Sequence, residues 1–169
     1  RTVHGQDITP AELRFAWEAH RRTFQLHGPE PYLTLEFFAR IAAVLGDAFM
    51  VKLAMADDVP VAAAIFLVGG DTLYGRYWGA ATDLHSLHFE TCYYQGIDYC
   101  IGRGLARFEP GTQGEHKLVR GFEPAATHSA HYIADPRFRT AIAGFLAQER
   151  AAVDRYARIA GAHTPFHRT

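Results

Sequence analysis

The run VAAAIFLV at residues 61–68 constrains this fold most, because it is apolar at every position. Turn signals bound the run on both sides, with DDVP at residues 57–60 and GGD at residues 69–71. Since no polar residue alternates with the apolar ones, the run predicts a strand that is covered on both faces. The chain therefore needs a sheet with this strand inside it and packed layers on either side.

Further strands are predicted before and after this run. Residues 49–55 alternate, with Val51, Leu53 and Met55 on one side. Residues 73–80 follow the Gly-Gly-Asp segment, which is typical of a hairpin turn, and they are rich in aromatic side chains. We therefore expect three consecutive antiparallel strands that form a meander.

Two helices are predicted before the meander. Residues 1–8 are expected to be an irregular lead-in, and residues 9–12 (TPAE) have the pattern of a capping box with proline in the first turn. Apolar residues at helical spacing extend the first helix to Gly28. Thr34 is expected to cap a second helix that ends at Gly46.

The rest of the chain predicts a parallel strand pair around a central helix. This helix spans residues 87–103, and the short strand 105–108 after it is expected to run parallel to residues 73–80. Another strand is predicted at residues 130–134, and a last helix begins at Asp135. The fold class is therefore α/β, with a mixed sheet. The buried stripe expected on the last helix comprises Phe138, Ile142, Phe145, Leu146, Val153, Tyr156 and Ala160.

Length and composition limit the classes of function. The chain has 169 residues, 49% of them hydrophobic, which fits one domain with an ordinary core. A net charge of −1 gives no basic excess of the kind that indicates nucleic-acid binding. No apolar run approaches the roughly 20 residues that cross a bilayer. Cys92 and Cys100 lie on one predicted helix, roughly 12 Å apart along its axis, which is too far for a disulfide. We therefore expect a cytoplasmic protein whose two thiols are too buried to act as nucleophiles.

The densest group of reactive side chains lies between residues 105 and 122 (LARFEPGTQGEHKLVRGF). Glu109 ends the predicted strand, and Gln113, His116, Lys117 and Arg120 follow the turn after it. Glu109 or His116 can move a proton, and the amide and the two cations can hold a substrate carboxylate or phosphate. The same segment also fits a solvated helical turn, so both interpretations remain open.

The third predicted strand supplies a second group of candidates. Tyr77 and Trp78 point to opposite faces, so one is expected to pack in the core while the other lines a cleft or stacks on a base. Gly75 and Gly79 can mark an irregularity that leaves a backbone N–H free to polarise a carbonyl. Relief of crowding beside the aromatic residues explains these two glycines equally simply.

Histidine content keeps a metal site open as an alternative. The chain has ten histidines, and His85, His88 and Glu90 lie close together, with His128 and His131 further on. No zinc-type motif organises them, and scattered histidines are usually surface residues. We therefore assign no metal ligands.

The order of elements resembles the GNAT superfamily of N-acyltransferases, and in particular its FemAB-like branch. The residues that carry this resemblance are YWGA at 77–80 with LHFE at 87–90, the helix end 97–104, and FEPG through HKLVRGF at 108–122. The resemblance implies transfer of an acyl or aminoacyl group to a small-molecule or peptide amine by direct attack. It places the acyl donor between strands 73–80 and 105–108. It also implies that Tyr77, Trp78 and Gly79 contact the donor or substrate.

One departure from the superfamily pattern bears on the donor. The loop 80–85 (AATDLH) has no glycine and carries Asp83, whereas acetyl-CoA enzymes have a glycine-rich loop that cradles the pyrophosphate. Both acyl-CoA and aminoacyl-tRNA stay possible as donors. The loop counts against CoA, and the resemblance to the FemAB-like branch implies aminoacyl-tRNA, with which the loop is compatible. The resemblance further implies a single GNAT-like domain over residues 1–169, the C-terminal half of a two-domain chain that packs on an N-terminal domain. A non-catalytic or metal-binding domain that binds a partner or ligand is the alternative.

Overall fold

The first part of the chain folds around a mixed five-stranded sheet, in a computed structural model that describes residues 1–28, 31–111, 114–162 and 165. Neighbouring strands are antiparallel from the first to the fourth, and the fourth pairs in parallel with the fifth. The predicted fold class, a meander followed by a parallel pair, is confirmed. In sheet order the strands are β1 (Thr2–His4), β2 (Phe49–Ala56), β3 (Val59–Gly69), β4 (Thr72–Ala80) and β5 (Arg107–Glu109).

The backbone divides into two compact units, Arg1–Thr112 and Gln113–Thr169. The second unit contains a 3-10 helix, Glu115–Arg120, and helix α5 (Pro136–Gly161). The first unit contains the sheet together with the helices α1 (Pro10–His27), α2 (Leu35–Leu45), α3 (Leu87–Phe89) and α4 (Gln95–Arg103).

Helices α1 and α2 begin at the caps that the sequence predicts. The Glu12 N–H donates to the Thr9 hydroxyl, and the Thr9 N–H donates to the Glu12 carboxylate at 2.8 Å, which completes the capping box. The Phe37 N–H donates to the Thr34 hydroxyl at 3.1 Å. These bonds satisfy donors that a helix start otherwise leaves without partners.

Strand β1 replaces the irregular lead-in expected for residues 1–8, so that expectation is wrong. Thr2, Val3 and His4 pair with Lys52, Val51 and Met50 of β2. Three residues are too few to display a period of two, so only the pairing with β2 defines this strand.

The core lies on both faces of the sheet, as expected for β3. One cluster includes Phe38, Val51 and Ile65 on the side of α1 and α2, and the other includes Phe66 and Cys100 on the side of α4. The alternation predicted for β2 understates its burial, because residues 49–53 are all buried. Strand β2 lies between β1 and β3, so it is also an interior strand.

Gly79 of β4 lies directly under α1. A Cβ at this position would overlap the backbone of Ala19 and His20. Helix α1 therefore rests on the strand without an intervening side chain, and only glycine permits that approach.

The central helix, predicted at residues 87–103, has the expected limits and an added irregularity. A π-helical turn, Glu90–Tyr94, separates α3 from α4. Gly104 ends α4 in the left-handed conformation with φ of 66°, as predicted. Strand β5 then begins at Arg107, two residues later than the sequence indicates.

The strand predicted at residues 130–134 is absent from this described segment, which is irregular. The Arg139 side chain donates to the carbonyl oxygens of Ile133 and Ala134, at 2.9 and 3.2 Å. These hydrogen bonds take up carbonyl groups that a β ladder would have used, so the prediction is wrong.

Helix α5 begins as predicted, but its stripe is not buried. The Asp135 carboxylate accepts from the Arg137 N–H at 2.8 Å and caps the helix. Of the seven stripe residues, Ala160 is buried and Leu146 is half-buried. The other five are exposed, and Phe138, for example, is 65% exposed. Periodicity identifies the apolar face of a helix, but it does not say whether another segment covers that face.

Candidate active site

Strands β4 and β5 pair over three residues and then separate. The register runs from Thr72 opposite Arg107 to Tyr74 opposite Glu109. Pro110 follows, and proline has no backbone N–H with which to continue the ladder. In the described part of the chain, β4 therefore has no strand partner on this side after Tyr74.

A β-bulge lies where the two strands separate. In the pairing of β3 with β4, Ile65 lies opposite Tyr77 and Phe66 lies opposite Gly75, so Arg76 is an extra residue without a partner on β3. The irregularity anticipated at Gly75 or Gly79 is therefore beside Gly75. Gly79 instead provides the contact with α1, although a role in donor binding remains a prediction.

A cavity of about 170 Å³ lies beside the bulge and is called the β4–β5 cavity here. Residues of β3 and β4 around the bulge form one wall, and Pro110 with Gly111 forms another. The π-helical turn contributes Cys92 and Tyr93. π-helical turns are frequent at functional sites, which agrees with this position.

The wall of the β4–β5 cavity is rich in aromatic rings. The His88 ring lies 5.2 Å from Trp78 and 5.3 Å from Tyr93, measured between centroids. Trp78 and Tyr77 both line the cavity, whereas only one of the two was expected to line a cleft. Their contact with the donor or substrate stays a prediction. Sequence reasoning missed Tyr93 and used His88 only as a possible metal ligand.

The two cysteines differ in their access to this cavity. Cys100 is buried, and burial raises the pKa of its thiol. Cys92 is half-buried and lines the β4–β5 cavity. The expectation that both thiols are inaccessible therefore holds for Cys100 and is wrong for Cys92.

A second cavity, of about 300 Å³, is called the α2 cavity here because Phe37, Phe38 and Ile41 of α2 line it. Ile65, Arg76 and Tyr77 line both cavities, although the two cavities lie on opposite faces of the sheet, the α2 cavity beside the cluster with Phe38 and the β4–β5 cavity beside the cluster with Phe66. Sequence reasoning missed Arg76. The sequence does contain a signal for Arg76, because it is the one charged residue in the strand TLYGRYWGA.

The Tyr77 side chain connects the bulge to the helical layer. Its hydroxyl lies 3.3 Å from the Tyr32 hydroxyl, and its ring packs 4.3 Å from His20 between centroids. Burial and the hydrogen bond with Tyr32 raise the pKa of Tyr77, against an opposing effect of Arg76. The phenol is therefore protonated at neutral pH and can donate a hydrogen bond beside the bulge.

Glu109 is the last residue of β5, at the point where the strands separate. Its side chain is exposed, and the next two residues, Pro110 and Gly111, line the β4–β5 cavity. Glu109 itself is not among the described residues that line either cavity, so its role as the group that receives a proton from the amine stays a prediction.

His116, Lys117 and Arg120 lie together on the 3-10 helix of the second unit. The Arg120 guanidinium donates to the His116 carbonyl oxygen at 2.6 Å. Burial, and then the cations of Lys117 and Arg120, lower the pKa of His116, so its imidazole is largely neutral at pH 7. Gln113 lies outside the described residues. His116, Lys117 and Arg120 belong to the second unit, whereas Tyr77, Trp78 and Glu109 belong to the first.

The histidines considered as metal ligands are engaged elsewhere. The His85 ring lies 3.0 Å from the Ser86 hydroxyl, and the His131 ring lies 3.0 Å from the Ser129 hydroxyl. Across the described ranges, no three His, Cys, Asp or Glu side chains come together as a metal site requires.

A family model described as peptidoglycan biosynthesis/recognition, FemAB-like, matches residues 1–168. The chain belongs to the FemAB-like family. A solved aminoglycoside N-acetyltransferase in complex with CoA superposes with a TM-score of 0.51, at 12% identity, over 80% of this chain and 93% of that one. That likeness shows the GNAT-like fold. No curated protein matches the chain in sequence.

Family and fold together support an acyl or aminoacyl transferase in general terms. Among the described helices, none combines the length and the apolar character needed to cross a bilayer.

Proposed function

We propose that this FemAB-like protein transfers an acyl or aminoacyl group to an amine at the bulge beside Arg76. The observation that carries the proposal is a coincidence of three features: the end of the β4–β5 ladder, the extra residue in β4, and a cavity lined by β4 and by Pro110 and Gly111, which follow β5. Such an arrangement offers backbone groups without strand partners to an acyl group that enters from the β5 side.

The proposed reaction is direct attack. The amine nitrogen bonds to the acyl carbon, the carbonyl electrons move onto oxygen, and the bond to the leaving oxygen or sulfur of the donor then breaks. A backbone N–H near Gly75 stabilises the oxyanion, where one preorganised donor contributes about 10²–10³ in rate. Glu109 receives the proton of the amine and passes it to the leaving oxygen or sulfur as the carbonyl double bond re-forms. No covalent intermediate on the enzyme is needed, because the amine is itself the nucleophile.

The group of polar side chains in the second unit is assigned to donor binding and to a further proton transfer. Lys117 and Arg120 would hold a phosphate or carboxylate of the donor, with Gln113 beside them in sequence. His116 would serve as an alternative base, because its lowered pKa keeps the imidazole largely neutral and a neutral imidazole can accept a proton. Tyr77 and Trp78 would contact the acyl end of the donor.

The donor proposed is an aminoacyl ester at the end of a tRNA, with acyl-CoA as the competing possibility. Aromatic side chains in the β4–β5 cavity suit a nucleoside or an aminoacyl group, since base stacking on one aromatic side chain contributes about 1–3 kcal/mol. The loop 80–85, without glycine and with an exposed Asp83, is poorly suited to a pyrophosphate.

The acceptor proposed is a small-molecule or peptide amine, of the kind that peptidoglycan precursors contain. From the family resemblance alone we further propose that residues 1–169 are one GNAT-like domain. In that proposal the domain forms the C-terminal half of a cytoplasmic two-domain protein and packs on the N-terminal half.

The test compares donors on the folded chain. Calorimetric titration uses a non-hydrolysable aminoacyl-adenosine amide, CoA and acetyl-CoA, on the wild type, on Trp78→Ala and on Ile101→Ala as an exposed control. We expect the amide to bind, Trp78→Ala to weaken it about tenfold or more, and the control to behave as wild type. Binding of the CoA compounds alone would overturn the donor assignment. Tight amide binding with no product by mass spectrometry, when an ester donor and amines are supplied, would favour the non-catalytic alternative.

A further inference from the structure

We propose that the α2 cavity binds the acceptor, and that it selects an α-amino carboxylate with an apolar side chain. This inference rests on the proposed function, because it names the substrate class for the same reaction site. It gives Arg76 the role of recognising the acceptor carboxylate. This residue was not singled out from the sequence.

The position of the α2 cavity makes it an entrance to the bulge. Arg76 and Tyr77 line both cavities, which lie on opposite faces of the sheet, and beside these residues β4 has no strand partner on the β5 side in the described part of the chain. In this proposal a molecule in the α2 cavity reaches the bulge past that open edge of β4. A donor in one cavity and an acceptor in the other would meet at the extra residue of β4. Phe37 is 41% exposed and Tyr74 is 36% exposed, so the α2 cavity opens to solvent beside them.

The lining of the α2 cavity selects an apolar body. Apart from Arg76 and two tyrosines, the lining residues are aliphatic or phenylalanine, including Leu33, Phe38 and Ile41. Its volume of about 300 Å³ is at the small end of the range typical of ligand sites. A branched or aromatic amino-acid side chain suits this volume and this lining.

Among the described residues that line the α2 cavity, Arg76 is the one with a formal charge. Its guanidinium carbon lies 5.7 Å from the centroid of the Tyr77 ring, so the group is held over an aromatic face. Among the described residues, no carboxylate forms an ion pair with Arg76. A planar guanidinium at an apolar opening, without an acidic partner of its own, is suited to a ligand carboxylate that binds through two parallel hydrogen bonds.

The carboxylate contact also explains why an α-amine is favoured. In an α-amino acid the nitrogen is two covalent bonds from the carboxylate carbon. A carboxylate that pairs with Arg76 therefore places the amine next to the bulge, where the acyl carbonyl is proposed to lie. A longer separation between the amine and the carboxylate would carry the nitrogen away from the reaction point.

The test measures binding without any donor, so that its outcome is separate from that of the transfer reaction. Phenylalanine, phenylalaninamide and alanine are titrated against the wild type by calorimetry. The amide lacks the carboxylate and alanine lacks the apolar body. We expect phenylalanine to bind at least about tenfold more tightly than either analogue, since a charged hydrogen-bond pair and a buried ring each contribute that much or more.

Variants of the chain locate the site. Arg76→Gln is expected to weaken phenylalanine about tenfold and leave the amide unchanged, and Ile41→Trp, which fills the α2 cavity, is expected to weaken both. Arg103→Gln is the matched control, because Arg103 also lies over a tyrosine ring, at 5.6 Å, and lines neither cavity. Equal binding of phenylalanine and its amide to the wild type, or no binding of phenylalanine, would overturn the inference even if Arg76→Gln failed to fold.

The proposed function can fail separately. Selective phenylalanine binding with no transfer from any ester or thioester donor would support this site and refute the transferase assignment. Transfer to amines whose binding does not depend on Arg76 would support the transferase assignment and refute this acceptor site.

Discussion

Two glycines on α4 give a matched test of how β5 is held against the helix. A Cβ on Gly96 would lie 2.5 Å from the Phe108 ring, whereas a Cβ on Gly102 would meet no atom within 4 Å. Phe108 is the central residue of β5, and its ring packs 6.1 Å from Phe66, between centroids, in the cluster on that face. Gly96→Ala and Gly102→Ala therefore each add one methyl group to the same helix, in the first case against the Phe108 ring and in the second case in open space.

The expected difference between the two variants follows from that geometry. Replacing glycine by alanine in a helix stabilises it by up to about 1 kcal/mol, so Gly102→Ala should raise the free energy of unfolding. In Gly96→Ala the same gain is offset by overpacking against Phe108, which costs about 1–3 kcal/mol. The net change for Gly96→Ala should lie between none and a loss of about 2 kcal/mol.

Urea unfolding followed by circular dichroism measures both free energies, with equal slopes required for the comparison. The difference between the variants is expected to be about 1–3 kcal/mol, because the helix contribution cancels. Equal stabilisation by both substitutions would refute the close packing of Phe108 against α4. That result would also remove the support for a fixed position of Pro110 and Gly111, which follow β5 and line the β4–β5 cavity.

Further predictions concern β4, the buried histidine and the carboxylate at the rim. Gly79→Ala should destabilise the fold by about 3 kcal/mol, measured in the same urea titration, because the backbone of α1 cannot yield to the added methyl group. Burial lowers the pKa of His20, so the unfolded chain binds this proton more readily and stability should fall as the pH drops below about 6.5. His20→Gln should show a flatter dependence between pH 7 and 5 in unfolding experiments, and an unchanged slope would contradict this. Glu109→Gln should slow transfer by about 10² or more while leaving donor affinity intact, with Glu115→Gln as the exposed control in rapid-quench assays.

Local signals in the sequence predicted most of the elements. The caps at Thr9, Thr34 and Asp135 and the helix end at Gly104 depend on a few neighbouring residues, so reading them needs no knowledge of tertiary contacts. Strand β3 could also be predicted from the sequence alone, because an interior strand that is covered on both faces is apolar along its whole length.

Features that depend on pairing with residues distant in sequence could not be predicted in this way. Strand β1 exists because β2 offers an edge, and the segment at 130–134 is irregular because Arg139 bonds its carbonyl groups. The role of Arg76 as the extra residue depends on the register between β3 and β4, which no local pattern encodes. Sequence reasoning therefore singled out Tyr77 and Trp78, which line the β4–β5 cavity, and missed Tyr93 and Arg76, which also line it.

The position of the acyl carbonyl in a complex tests the central claim most directly. A crystal structure of the chain with the non-hydrolysable aminoacyl-adenosine amide would locate that oxygen. The account predicts that it lies about 2.7–3.1 Å from a backbone N–H of residues 75–77, inside the β4–β5 cavity. An amide bound elsewhere, with its carbonyl away from the bulge, would contradict the account.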